Sequence, residues 1–210
     1  VWDKDGNDAG TFTPKDWSVD VGYSRKLTDD LSVGATARFI RSDMSGLDKD
    51  DAANAVAFDL GLYYRRNFEN WEQSQWAVGL QASNFGTKID YGYGKYDQAS
   101  KVAVGGMIDH VFTDKHRLQG TLDVVCQVLP NTNWGGSVGV EYTLLQIVAI
   151  RGGYHYGEQD NKLQRYGTLG CGVGCHHIKA DFAYLIPEKD SLLKNTWQVA
   201  LSFDLGLFKR

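Results

Sequence analysis

From Val56 to Tyr64 the chain alternates without a break. Val56, Phe58, Leu60, Leu62 and Tyr64 fall on one side, and Ala57, Asp59, Gly61, Tyr63 and Arg65 fall on the other. A strand sends successive side chains to opposite faces, so this period means one apolar face and one polar or small face. The pattern returns about eleven times down the chain, and its polar side repeatedly carries charge. Such a series predicts an all-β, antiparallel transmembrane barrel, with lipid outside and water or a plug inside. A soluble sandwich would also be one-sided; strand length, aromatic ends and the absence of helical segments favour the barrel.

The predicted strands are Trp17–Lys26, Leu31–Arg41, Ala55–Arg66, Gln75–Phe85, Lys101–Phe112, Arg117–Val128, Gly136–Thr143, Val148–Tyr156, Tyr166–Gly174, Ile178–Ile186 and Trp197–Leu207. Their lengths suit the ~9–11 residues that cross a bilayer at a tilt. The connections alternate short and long, as in barrels with short periplasmic turns and longer outer loops; only Asn67–Ser74 is a longer periplasmic turn. Eleven strands is an odd count, whereas bacterial single-chain barrels have an even one. The expectation is a single barrel domain over residues 1–210 that lacks its N-terminal strands. No leader is visible in Val1-Trp2-Asp3-Lys4-Asp5. Ten or twelve strands is the alternative.

Composition fits this reading. A net charge of −4 argues against a nucleic-acid partner, which would select a basic face. Glycine is abundant at 24 residues and proline scarce at 3, which suits long strands. Six Trp, eleven Tyr and nine Phe can supply girdles at the strand ends. No window approaches the ~20 apolar residues of a membrane helix, a test that strands evade because half of each faces the lumen.

The charged faces give the lumen candidates Asp20, Arg38, Asp59, Arg65, Lys101, Asp109, Asp123, Glu141, Arg151, His155, Lys179, Asp181 and Asp204. They either pair across strands and brace the barrel or line a selective pore. Cys171-x-x-x-Cys175-His176-His177 has the look of a zinc motif. On a strand, however, residues four apart stand ~13 Å from each other, too far to share one ion. Gly170-Cys171-Gly172-Val173-Gly174 lacks the following helix of a phosphate loop; close packing or a bend is expected there. No catalytic constellation stands out, so neither an enzyme nor a cofactor is expected. Partner contacts are expected at loop residues Met44 and Leu47, at Tyr91, Tyr93 and Tyr96, and at Leu192 and Leu193.

Several ordered stretches resemble one family. They are Ala57-Phe-Asp-Leu-Gly-Leu-Tyr-Tyr64, Trp76-Ala-Val-Gly-Leu-Gln-Ala-Ser-Asn-Phe-Gly-Thr-Lys-Ile-Asp-Tyr91, Arg151-Gly-Gly-Tyr-His-Tyr156, Tyr166-Gly-Thr-Leu-Gly-Cys-Gly-Val-Gly174, Ala180-Asp-Phe-Ala-Tyr-Leu-Ile-Pro187 and Asn195-Thr-Trp-Gln-Val-Ala-Leu-Ser-Phe-Asp-Leu205. Their order and spacing resemble the PorV/PorQ family of the Bacteroidota type IX secretion system, and the PorV branch in particular. That family is itself similar to FadL-type fatty-acid transporters. The resemblance runs from about Trp17 to Leu207 and is strongest in the second half. It implies a FadL-like barrel of about 14 strands in the bacterial outer membrane. It also implies a non-catalytic component that docks at the translocon, receives cargo by its C-terminal signal domain and passes it to the sortase of the attachment complex. The other classes kept open are a FadL-like transporter for hydrophobic small molecules and a general diffusion pore.

Overall fold

The computed structural model describes residues 15–43, 52–71, 73–92, 94–158, 165–175, 178–188 and 195–203. They form strands and turns, with no helix among the described residues. In chain order the strands are β1 (Lys15–Lys26), β2 (Leu31–Asp43), β3 (Ala52–Asn67), β4 (Gln75–Gly86), the two short strands β5 (Ile89–Asp90) and β6 (Lys95–Tyr96), then β7 (Lys101–Thr113), β8 (His116–Gln127), β9 (Asn133–Leu144), β10 (Val148–Gly157), β11 (Tyr166–Cys175), β12 (Ile178–Pro187) and β13 (Trp197–Phe203). Eleven of them make one sheet in sequence order, with β5 and β6 forming a separate hairpin. The sheet ends at β1 and β13 and is not closed among the described residues. The all-β antiparallel prediction is met, and each predicted long strand is present, the last as far as Phe203, with residues 204–207 lying outside the described residues.

The chain divides into two compact units, the first holding residues 1–62, 81–102 and 127–132, the second residues 63–80, 103–126 and 133–210. In the first, Asp20 stands opposite Arg38 and Trp17 opposite Arg41 in the β1–β2 register. In the second, Glu141 faces Arg151 across β9–β10, and Gly172 faces Asp181 across β11–β12. Register therefore places opposite charges side by side, where cross-strand pairs stabilise a sheet.

Burial is the reverse of that in a water-soluble domain. Among the described residues the buried apolar ones are all alanines, Ala53, Ala55, Ala57, Ala77 and Ala149, whereas Asp109, Ser74 and Ser100 are the largest fully buried side chains. Large apolar side chains stand out instead, Val21 and Tyr23 at 70% exposure and Leu60 at 62%. On β2 and β3 the charged faces are more sheltered, the Arg38 side chain being 28% exposed and that of Asp59 17%, whereas Asp20 on the edge strand β1 is 42% exposed. Aromatic pairs sit near both strand ends, Trp17–Phe39 at the long-connection end and Tyr64–Trp76 at the short-turn end.

One short turn departs from the usual hairpin signal. Leu145 and Gln146 both take left-handed conformations, with φ of 55° and 58°, where Asn-Gly is the common choice. The Leu145 N–H donates to the Lys115 carbonyl at 2.7 Å, so a neighbouring turn holds the conformation that the residue types disfavour.

Candidate functional site

In the first unit, Arg38 organises the charged face. Its Nε donates to both carboxylate oxygens of Asp20 at 3.0 and 3.1 Å, and its Nη1 donates to Asn84 Oδ1 at 2.8 Å. Its Nη2 lies 3.5 Å from Asp59. One guanidinium thus ties together side chains of β1, β3 and β4, using the planar fork that suits arginine to such a role. Asn84 has a φ of 60°. Leu80 and Phe85 are both exposed although five residues apart, so the alternation slips by one residue here, as in a β-bulge. The slip turns the Asn84 N–H onto Asp59 Oδ1 at 2.7 Å.

The connection from β4 to β7, residues 87–100, folds back onto this face instead of standing away from it. The Thr87 N–H donates to the Val56 carbonyl at 2.9 Å, and the Val56 N–H donates to Thr87 Oγ1 at 3.0 Å. Gln98 Nε2 donates to the carbonyls of Val56 and Thr87 at 3.1 and 2.6 Å. Ser100 Oγ donates to the Asn84 carbonyl at 2.6 Å. The Tyr91 hydroxyl donates to Ser42 Oγ at 2.9 Å. On the faces of β2 and β3 that carry Arg38 and Asp59, Ser42, Ala53, Ala55 and Ala57 are all buried. At the tip, the Gly92 amide, followed by Lys95, holds the Asp90 carboxyl below its ordinary range.

The second unit carries two further sets. Arg117 grips Asp109 bidentately, Nε to Oδ1 at 2.6 Å and Nη2 to Oδ2 at 2.5 Å, while Gln75 Nε2 donates to Oδ2 at 2.9 Å. Arg151 donates to Glu141 on the neighbouring β9 and, at 2.5 Å, to Asp181 on β12. Lys179 lies 3.6 Å from Asp181. To reach Asp181 the guanidinium passes over β11 at Gly172, where an added Cβ would overlap Asp181 Oδ1 and stand 3.3 Å from Arg151 Nη1. Close packing, expected for the glycine run of β11, is found at Gly172 and at Gly170, where a Cβ would stand 3.0 Å from the Phe182 carbonyl, but not at Gly174, which has room for one. Cavities of about 390 and 490 Å³ open beside these residues. One is edged by Gln119, Ser137, Glu141, Arg151 and His155, the other by Asp109, Arg117, Glu141, Arg151 and Lys179. The second of these has mainly polar walls, while Val138, Val140, Tyr154 and Tyr166 also line the first.

Of the lumen candidates, the fold joins Asp20 with Arg38 and Asp59, and Glu141 with Arg151, Asp181 and Lys179. His155 meets Ser137 through Nδ1 at 2.9 Å and stacks on Tyr166. Arg65, Lys101 and Asp123 join none of the ion pairs described here, and Asp204 lies outside the described residues. Of the loop residues, Tyr91 turns to Ser42 and meets Tyr96 edge-on at 5.8 Å, while Tyr96 stays 51% exposed. Met44, Leu47, Tyr93, Leu192 and Leu193 lie outside the described residues. Cys171 and Cys175 are exposed on β11, and no group of three His, Cys, Asp or Glu able to hold a metal ion occurs among the described residues. The polar residues that the alternation did not single out are Asn84, Gln98 and Ser100. The one available signal was Asn84 itself, since asparagine accepts left-handed backbone.

The sequence model of a family described as type IX secretion system protein PorV matches residues 2–133. The chain belongs to the PorV family. No curated protein matches it. The PorV match spans β1–β8 and reaches the first residue of β9, so it contains the Arg38 set, the returning connection and the Asp109–Arg117 pair. It covers the earlier part of the chain, whereas the resemblance read from the sequence is strongest in the later strands. PorV membership gives the chain a role in type IX secretion.

Proposed function

We propose that the chain is an outer-membrane β-barrel protein of type IX secretion that docks at the translocon, binds cargo by its C-terminal signal domain and delivers it to the attachment complex. The observation that carries the reading is the inverted burial within a PorV-family chain. Apolar side chains project outward, and the sheltered face holds arginines already matched to carboxylates. Hydrocarbon is the medium in which such an outer face is stable, because a lipid-facing strand alternates apolar-out and polar-in. In that setting the open sheet is part of one barrel domain, closed by the further strands that the family resemblance implies. A barrel leaves no bare edge in lipid.

The matched charges favour a braced wall over a slot for fatty acids, which supports protein docking rather than uptake of hydrophobic molecules. The connections at the long-loop end are the proposed partner surface, with Tyr96 as its exposed aromatic among the described residues. The test is capture of the full-length tagged protein from an outer-membrane extract. Translocon or sortase subunits should come with it, along with cargo that carries the C-terminal signal domain. Recovery of none of these under conditions that preserve the complex would overturn the assignment.

A further inference from the structure

We propose that residues 87–92 and 94–100 form an internal strap that limits the passage of small water-soluble solutes along the charged face, with Gln98 and Ser100 as its clasp. The inference rests on the reading of that face as a barrel lining. A loop meant for solvent would leave its polar groups to water, but the side chains of Thr87, Tyr91, Gln98 and Ser100 are bonded to the sheet. The Gln98 side chain, 9% exposed, donates to two main-chain carbonyls, one on β3 and one on the strap itself. Ser100, 2% exposed, donates to the Asn84 carbonyl, and its own carbonyl accepts the Val128 N–H at 2.7 Å. Tyr91 adds a third attachment, on β2.

The charges of the strap are matched within it, Lys88 with Asp97 at 3.0 Å and Lys95 with Asp90 at 3.2 Å. Folding inward therefore strands no unpaired charge, the usual obstacle to placing such a segment against a wall. The Asn84 bulge links the clasp to the Arg38 set, because one residue receives Ser100 and holds both Arg38 and Asp59. A docking protein in the outer membrane must admit a partner at its rim without leaking solutes, and a strap fixed to its own wall meets that need.

The experiment uses the full-length protein in planar bilayers, and in detergent with trypsin added. The wild type should conduct weakly and resist cleavage at Lys88 and Lys95. Gln98→Ala and Ser100→Ala should raise conductance severalfold and expose both lysines, while heat-modifiable gel migration stays that of the wild type. Thr87→Val, which removes the acceptor for the Val56 N–H, is the second variant should either alanine disturb folding. A variant cut at Lys88 or Lys95 with wild-type conductance would overturn the strap. So would a folded double variant that stays uncut. Capture of translocon subunits by the same variants reports on the secretion role separately, so either idea can fail alone.

Discussion

Asp109 shows how a side chain that would be misplaced in most interiors becomes a fixture here. It is 1% exposed and accepts three N–H donors, two from Arg117 and one from Gln75. A buried carboxylate is costly unless paired, and a bidentate arginine is the strongest common partner. The two halves of the pair are unequal, since the Arg117 side chain is 49% exposed and that of Asp109 only 2%. Removing the acid frees a guanidinium that can turn to water; removing the base strands a buried anion. Arg117→Ala is therefore expected to cost about 3–5 kcal/mol, and Asp109→Ala about 1–3 kcal/mol. Replacing both by apolar residues of similar volume should cost less than Arg117→Ala alone. Urea unfolding from lipid vesicles, followed by heat-modifiable migration, ranks the three variants. Equal losses for the two single changes would refute the asymmetry.

At the scale of the element, one glycine of β3 and one at the end of β4 differ sharply. A Cβ on Gly86 would overlap the Val56 main-chain carbonyl, which cannot rotate away, whereas one on Gly61 meets nothing within 4 Å. Gly86→Ala is expected to destabilise by about 1–3 kcal/mol, as overpacking does, and to break the Thr87–Val56 hydrogen bonds. Gly61→Ala should be neutral or gain up to about 1 kcal/mol from the strand conformation alone. The same vesicle assay reads both, and a Gly86→Ala protein as stable as the wild type would contradict the packing. The contrast also marks what could be read from residues alone. Strict alternation announced every long strand, because a face turned to one medium constrains each residue along it. Opposite charges such as Asp20 and Arg38 were legible as members of one face, but their pairing needed the register. The slip at Asn84 was hidden, since one inserted residue leaves no period behind. The attachment of residues 87–100 to the sheet was hidden too, because hydrogen bonds from Gln98 and Ser100 to main-chain carbonyls follow no spacing. The role of Gly172 depended on the arrangement of three strands, and no single stretch records that.

For the whole molecule the decisive quantity is the medium outside the apolar face. Patches beyond a few hundred Å² are rare on soluble monomers, yet Val19, Val21 and Tyr23 on β1 and Phe58, Leu60 and Leu62 on β3 all stand out. In water this surface would drive association; in hydrocarbon it is the low-energy state, and a cation there is the error. Leu60→Arg is thus expected to cost about 2–4 kcal/mol of folding free energy in a bilayer if the site lies near the midplane, while Leu60→Phe stays close to neutral. Spin labels separate the media directly. Labels at Phe58, Leu122 and Val199 should relax with lipid-soluble oxygen, and a label at Asp123, on the opposite face of β8 from Leu122, should relax with a water-soluble reagent. Because Leu122 and Asp123 are adjacent, the fold allows opposite answers from neighbours. Matching answers, or an arginine accepted at Leu60 without loss, would mean that the exposed face meets something other than acyl chains. The membrane assignment would then fall, although membership of the PorV family would stand.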